Sequence, residues 1–145
     1  MTTIANNKKA YFNYNIESTN ICGISLAGTE VKSIRNGDVS IGEAYCYIND
    51  DKLYIKNMYI KKYEQGSYNN HEETRDRQLL VTKSELSKMK EMIEKYTYTV
   101  IPTKVQIIDG WIKVCIGIGK GKKLYDKRNA LKERDLKNEV RNYLP

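Results

Sequence analysis

Apolar and polar residues alternate along much of this chain, and this period-two pattern is typical of short strands. Six segments show it with the aromatic and branched side chains that strands favour, and we predict strands at 10–18, 21–27, 43–49, 52–60, 96–108 and 111–118. Asp50-Asp51 and Asp109-Gly110 separate the last two pairs, and these residues tolerate the backbone angles of tight turns. The sequence therefore predicts an initial strand pair and two hairpins.

Two segments, 28–37 and 82–95, change from alternation to helical spacing. In the first, Thr29 is the expected N-cap, and Gly37 can take the left-handed conformation that ends a helix. In the second, Thr82 and the glutamate three residues later match a capping box. A polar segment between the middle hairpin and this second helix has no usable period, so we predict a loop at 63–77.

The predicted elements are about six short strands and two helices, without the strand-helix-strand order of parallel sheets. We therefore expect a mostly β protein with short helices, folded as a closed or nearly closed antiparallel barrel similar to an oligonucleotide-binding (OB) fold. Residues 1–119 would form this body, and residues 120–145 would be a basic C-terminal tail.

Positive charge is concentrated in that tail. The chain has a formal net charge of +7. Residues 120–145 hold nine Lys or Arg against four Asp or Glu, net +5, whereas residues 1–119 hold 16 against 14, net +2. Few apolar residues are available to hold a helix against the body, so we expect a tail that is disordered alone and helical once phosphates neutralise it. A solvated tail that only aids solubility is the alternative.

The cysteines indicate a reducing compartment. Cys22, Cys46 and Cys115 are odd in number and form no CxxC pair, so we interpret them as small core residues of a cytoplasmic protein. No long apolar run indicates a membrane span, and no cofactor motif is complete: the glycines near Lys122 do not have the spacing of a phosphate-binding loop.

Enzyme chemistry has one candidate site. His71 is the sole histidine, and it lies beside Glu72, Glu73 and Asp76, a set that a small metal-dependent nuclease could use. The spacing of these acids matches no known metal site, and the histidine has no identifiable orienting partner. A surface histidine in a solvated acidic loop is therefore expected, with no metal and no catalysis.

Four segments together resemble the SsrA-binding protein family, also called small protein B. They are NKKAYFNY (7–14), GTEVKSIRNGDVSI (28–41), NMYIKKYEQG (57–66) and GKGKKLYDKRNALKERD (119–135). The resemblance implies a non-enzymatic OB-like barrel that binds the tRNA-like part of transfer-messenger RNA and delivers it with elongation factor Tu to stalled ribosomes. It also implies a monomer whose tail contacts small-subunit rRNA in the empty mRNA channel.

The resemblance also assigns residues to two surfaces. Those expected to bind transfer-messenger RNA are Asn7, Lys32, Arg35, Leu80, Lys113, Lys120, Lys122 and Lys123. Those expected to contact the decoding centre and the mRNA channel are Tyr125, Asp126, Lys127, Arg128, Lys132 and Arg134.

Three positions depart from the family pattern. Ile21 stands where an acidic residue is common, Thr82 where asparagine or histidine is usual, and Gly119 where alanine is usual. Besides the nuclease, a general single-strand binder on the same barrel remains an alternative. It predicts equal affinity for single-stranded DNA and for a tRNA-like ligand.

Overall fold

The computed structural model describes residues 2–63 and 70–122, in which nine strands and three helices occur. The strands are β1 (Thr2–Asn6), β2 (Tyr14–Ile24), β3 (Val39–Ser40), β4 (Tyr45–Asn49), β5 (Lys52–Lys56), β6 (Tyr59–Ile60), β7 (Arg77–Leu80), β8 (Thr99–Ile108) and β9 (Trp111–Gly121). The helices are α1 (Lys8–Asn13), α2 (Gly28–Arg35) and α3 (Lys83–Tyr96). The prediction of a mostly β protein with short helices is confirmed. Among these helices, none has the length and apolar character needed to cross a bilayer.

Seven strands form one antiparallel sheet in the order β1-β8-β4-β5-β7-β2-β9. Strand β8 also pairs along its length with β9, so the pairings of six strands lead back to the strand where they start. Strand β9 lies along one edge of β8. Along the other edge, β4 pairs with β8 at Val100, and β1 pairs with it from Lys104 to Ile107. Strands β3 and β6 form a separate two-stranded ladder.

The core lies on the inward side of this sheet. Alternate residues of β5 and of the first half of β9 are buried, as the alternation in the sequence predicts, whereas β8 has four consecutive buried residues from Val100 to Thr103. Helices α2 and α3 add Ile34 and Met89 to the core. Cys22 and Cys46 are buried free thiols within this core, and Cys115 is half-buried. Burial raises the pKa of Cys22 to about 12 and that of Cys46 further, because an apolar environment disfavours the thiolate.

Both predicted hairpins are present. Asp50 and Asp51 connect β4 to β5 with φ values of 49° and 58°, and Asp109 and Gly110 connect β8 to β9 with 51° and 82°. Two consecutive positive φ values are those of a type I′ turn, whose twist matches that of the strands it joins. These short turns fix the register of the β4–β5 pairing and of the β8–β9 pairing from the turn as far as Lys104, beyond which the register of β8 shifts.

The predicted helix at 82–95 is confirmed as α3, and Thr82 is its N-cap. The Thr82 hydroxyl accepts a hydrogen bond from the backbone N–H of Glu85 at 3.1 Å. The Glu85 carboxylate accepts a bond from the side-chain amide of Asn20 in β2, which ties the helix start to the sheet. Thr82 thus has a structural role in this chain as the cap of α3.

The predicted strands at 10–18 and 21–27 are wrong in their boundaries. Residues 8–13 form α1, and a single uninterrupted strand, β2, follows from Tyr14 to Ile24. Long-range pairing explains the difference, because β9 runs beside β2 from Gly121 to Lys113 and holds the whole length extended. Three strands were not predicted: β1, a polar segment that pairs at the edge of β8; the two-residue β3; and β7, whose first inward residue is the buried cation Arg77.

The helix predicted at 28–37 is present as α2, but its predicted cap is wrong. The N-cap is Ala27, whose N–H donates to Glu30 Oε1 at 2.8 Å. Thr29 instead directs its hydroxyl at His71 Nδ1, 2.9 Å away. Gly37 has a φ of 84° after the helix end, as predicted.

Candidate RNA-binding surface

Three neighbouring strands place Leu80 and Lys113 in one row on the outward side of the sheet. Gly23 of β2 pairs with Leu80 of β7 on one side and with Lys113 of β9 on the other. Leu80 is 53 % exposed, although it is a large apolar side chain. A Cβ on Gly23 would lie 3.2 Å from the Cβ of Leu80, so the bare glycine gives Leu80 room between the strands. We call this set the Leu80–Lys113 row.

Ile21 extends the apolar part of this surface. It lies two residues before Gly23 on the same side of β2, pairs with Cys115, and is 53 % exposed. A cation beside exposed apolar side chains can contact a phosphate while the apolar groups contact sugar and base. Ile21 and Leu80 thus give this side of the sheet two exposed apolar side chains.

Of the two predicted cations of α2, Arg35 contacts the β8–β9 hairpin and Lys32 lies beside Tyr63. Lys32 and Arg35 are exposed, and Arg35 Nη2 donates to the carbonyl oxygen of Gly110 in the turn at 2.9 Å. The Lys32 ammonium lies 5.3 Å from the centre of the Tyr63 ring. The next residue after the turn is Trp111, which is two residues from Lys113 on the same side of β9.

The predicted lysines at the end of β9 lie far from this group. Lys120 is exposed and pairs with Asn15, and the backbone N–H of Lys122 donates to the carbonyl of Asn13 at 2.8 Å. Lys113 and Lys120 are seven residues apart in one strand, which corresponds to roughly 23 Å at the usual rise per residue. Lys113 and Lys120 therefore lie toward opposite ends of β9, and Arg35 lies beside the end that carries Lys113.

Asn7 is buried, unlike the other predicted contacts. It is 7 % exposed, its side-chain amide donates to Pro102 O at 3.0 Å, and its backbone N–H donates to Thr103 O at 2.8 Å. Its Oδ1 has no hydrogen-bond partner within the described part of the chain. Asn7 thus connects the end of β1 to β8, and a contact of its side chain with RNA stays a prediction.

A buried ion network fixes α2 relative to β7. Glu30 and Arg77 are both fully buried and paired, and Arg75 Nε donates to both Glu30 oxygens at 3.2 Å. Burial alone would raise the pKa of Glu30, but hydrogen bonds from Arg75, the Ala27 N–H and Arg77 outweigh it and lower that pKa. The network therefore holds the cations of α2 at a fixed distance from Leu80.

The candidate enzyme site is not assembled, and the prediction of a surface histidine is wrong. His71 is 6 % exposed, and its Nε2 lies 2.8 Å from the carbonyl oxygen of Ile60. Because a carbonyl only accepts, Nε2 carries a proton, and in the neutral ring Nδ1 then accepts from the Thr29 hydroxyl. Nothing in the described ranges 2–63 and 70–122 groups three or more potential metal-binding side chains.

The acids beside His71 have separate partners. Glu73 accepts a hydrogen bond from the Tyr59 hydroxyl at 2.8 Å, and Asp76 accepts one from the Tyr47 hydroxyl at 2.6 Å. The bond to Asp76 raises the pKa of Tyr47 to about 12, because the carboxylate stabilises the protonated phenol. Glu73 thus attaches the segment before β7 to β6, and Asp76 attaches it to β4, so the two carboxylates have different partners.

Seven predicted residues lie outside the described residues, and their roles stay predictions. They are Lys123, Tyr125, Asp126, Lys127, Arg128, Lys132 and Arg134.

Sequence reasoning missed Trp111 and the Glu30–Arg77 pair. The alternation of β9 contained a usable signal for Trp111, since residues 111 and 113 must share one side of a strand. The buried pair had no such signal, because charged residues in a loop-like segment and in a short helix are usually solvated.

An outward strand surface with cations and exposed apolar side chains is that of an RNA-binding protein built on an antiparallel sheet. Residues 4–144 match the model of the SmpB protein family. This chain belongs to the SmpB family, which is a family of RNA-binding proteins and not of enzymes.

Individual relatives agree with this assignment. The SsrA-binding protein of Acholeplasma laidlawii is 48 % identical over 96 % of this chain and 93 % of its own length. That of Staphylococcus aureus is 43 % identical over 95 % of this chain and 90 % of its own length. A chain from a solved structure described as "tmRNA-SmpB: a journey to the center of the bacterial ribosome" has a TM-score of 0.67 and 39 % identity, and the match covers 82 % of this chain and 84 % of that chain.

Proposed function

We propose that this protein binds the tRNA-like part of transfer-messenger RNA through the Leu80–Lys113 row and the cations of α2, and delivers that RNA to stalled ribosomes. One observation carries the proposal. Leu80 and Lys113, which are 33 residues apart in sequence, are brought into one outward row by their pairing with Gly23. Membership of the SmpB family and the names of the relatives support the identity of the RNA.

The ring of strand pairings supports a closed barrel of the OB type as the carrier of this surface. Such barrels commonly bind nucleic acid on one outer face, while the inward side chains fill the core. The Leu80–Lys113 row crosses three adjacent strands of that ring, so RNA lying along it would contact residues whose relative positions are fixed by backbone hydrogen bonds.

The separation of roughly 23 Å along β9 suggests a division of labour. The end with Lys113 and Arg35 would hold the tRNA-like RNA, and the end with Lys120 would lead into the basic tail. We propose that residues 120–145 are disordered in the free protein and become helical in the empty mRNA channel. There, Tyr125 would stack in the decoding centre, and the cations that follow it would contact small-subunit rRNA.

Delivery as a cytoplasmic monomer together with elongation factor Tu completes the proposal. Its support is the resemblance of the four sequence segments and the ribosome named with the similar solved structure. No catalytic step is part of this function, so the protein would act by binding and positioning alone.

A competition assay tests the RNA specificity. Labelled tRNA-like domain is bound to the protein and displaced by unlabelled tRNA-like domain or by an oligo-dT of equal length. We expect oligo-dT to compete at least tenfold less well, because a folded RNA can match a fixed row and an unstructured strand cannot. Equal competition would instead identify a general single-strand binder.

A tail variant tests the division of labour. Replacing Asp126, Lys127 and Arg128 together by alanine should leave the Kd for the tRNA-like domain within about threefold, since the tail charge would act on the ribosome. Tagging of stalled peptides in a reconstituted translation reaction should be lost. If the variant loses both RNA affinity and tagging, the assignment of RNA binding to the body and of ribosome contact to the tail is wrong.

A further inference from the structure

The outer end of the β8–β9 hairpin has an exposed indole beside a small cavity. Trp111 is 72 % exposed, more than any other large apolar side chain in the part of the chain that the structure describes. The cavity next to it has a volume of about 280 Å³ and is lined by Ile24, Leu26, Val31 and Ile112 together with Arg35 and Trp111. Indole is large, apolar and costly to leave in water, so its exposure beside a cavity indicates a missing partner.

The size and lining of the cavity restrict what can enter it. Pockets for whole small-molecule ligands usually measure about 300–1,000 Å³, so this cavity suits one flat group that continues outside it. The side chains that line the cavity are mostly apolar, and the one charged residue among them is Arg35. A nucleobase attached to its phosphate has that combination of a flat apolar body and a negative charge.

Arg35 is held in place for such a ligand. Its Nη2 donates to Gly110 O at 2.9 Å, which fixes the guanidinium beside the turn that precedes Trp111. A guanidinium has five N–H donors, so this single bond leaves others for a phosphate. Lys32, one helical turn earlier, adds a second positive charge on the same side of α2.

We propose that Trp111 stacks on an unpaired base of the bound RNA while Arg35 contacts the adjoining phosphate. The inference rests on the proposed function and extends it by naming a base-binding site at the hairpin. Trp111 lies two residues from Lys113 on one side of β9, about 7 Å along the strand. That distance corresponds to about two nucleotides of a stacked strand, so RNA on the Leu80–Lys113 row can reach the indole.

The fluorescence of the protein itself reports on this site, because the chain contains one tryptophan. The tRNA-like domain is titrated into the full-length protein, and binding is followed in parallel by anisotropy of labelled RNA and by tryptophan emission. We expect the emission to be quenched, and the indole protected from acrylamide, along the same curve as the anisotropy. Binding with unchanged emission and acrylamide access overturns this inference alone, whereas the absence of RNA binding overturns the proposed function as well.

Substitutions then separate stacking from simple apolar contact. Trp111→Ala should weaken binding by about 5- to 150-fold, the usual cost of losing one stacked base. Trp111→Phe should retain most of the affinity, and Trp111→Leu, which keeps apolar area without an aromatic face, should resemble the alanine variant. Circular dichroism checks that the exposed position leaves the fold unchanged.

Tyr96→Ala is the matched control, because it removes another exposed aromatic ring, at the end of α3. Its affinity for the tRNA-like domain should stay within about twofold of the wild type. Wild-type affinity in Trp111→Leu would show that stacking is not involved. An equal loss in Tyr96→Ala would show that any exposed ring matters, and either result overturns the proposal.

Discussion

Replacing Arg77 by methionine should remove a large part of the stability of the fold. The guanidinium is fully buried, is paired with Glu30, and donates to four backbone carbonyls, that of Met58 at 2.7 Å being the nearest. Methionine fills a similar volume but leaves Glu30, among the described residues, with Arg75 as its one charged partner, besides the Ala27 N–H. Breaking a buried ion pair costs about 3–5 kcal/mol, and a buried carbonyl without a donor costs about 1–3 kcal/mol. These terms are not additive, so we expect a loss on the order of 4 kcal/mol.

Urea unfolding followed by circular dichroism measures this loss. The double variant Glu30→Gln/Arg77→Met should recover only part of it, about 1–2 kcal/mol, because the backbone carbonyls still lack their donor. Lys9→Met is the control: Lys9 and Glu43 form a pair at 3.7 Å with both side chains largely exposed, so its loss should change stability by about 0.5 kcal/mol or less. If Arg77→Met costs less than about 1 kcal/mol, or if the double variant is as stable as the wild type, the role assigned to this network is wrong.

Three further predictions concern the body of the protein. Gly119→Ala should lower stability by roughly 1–3 kcal/mol in urea unfolding, because the added Cβ would overlap the carbonyl oxygen of Asn15; Gly42→Ala, with nothing within 4 Å, should be nearly neutral. The lowered pKa of Glu30 contributes stability that is present above the unfolded value of about 4.5 and lost as pH falls through the folded value. In Glu30→Gln, the urea midpoint should therefore change less with pH below about 4.5 than it does in the wild type. Cys46, whose pKa is raised by burial, should resist iodoacetamide at pH 8 until the protein is unfolded, as judged by mass spectrometry.

Elements determined by neighbouring residues were predictable from the sequence. The Asp50-Asp51 and Asp109-Gly110 turns occur where their residue types place them, because positive φ is a local property of a few residue types. The start of α3 at Thr82 is equally local, since the cap and its partner N–H are three residues apart. In both cases a signal of two to four residues was sufficient.

Elements determined by distant residues were not predictable. The N-terminal region was predicted as two strands, yet pairing with β9 makes one long strand, and α1 precedes it. His71 was predicted at the surface, but Thr29 and the Ile60 carbonyl, which lie 42 and 11 residues away, satisfy both ring nitrogens in the interior. No local pattern contains that information.

The candidate site shows the same limit. The resemblance supplied the individual residues Leu80 and Lys113, but their common row depends on the pairing of both with Gly23 across β2. Trp111 was overlooked because an aromatic residue in an alternating strand is more often half-buried. Its position beside Arg35 of α2 depends on the packing of the hairpin against a helix 75 residues earlier, which sequence periodicity does not describe.

The most direct measurement is the Kd for the tRNA-like domain of two double variants with matched chemistry. Leu80→Ala/Lys113→Gln removes one exposed apolar side chain and one cation from the proposed surface, and Tyr96→Ala/Lys88→Gln removes the same from α3. At fixed salt concentration we expect the first variant to bind at least tenfold more weakly and the second to stay within about twofold of the wild type. Equal Kd values for the two variants would contradict the assignment of RNA binding to the outward row across β7, β2 and β9.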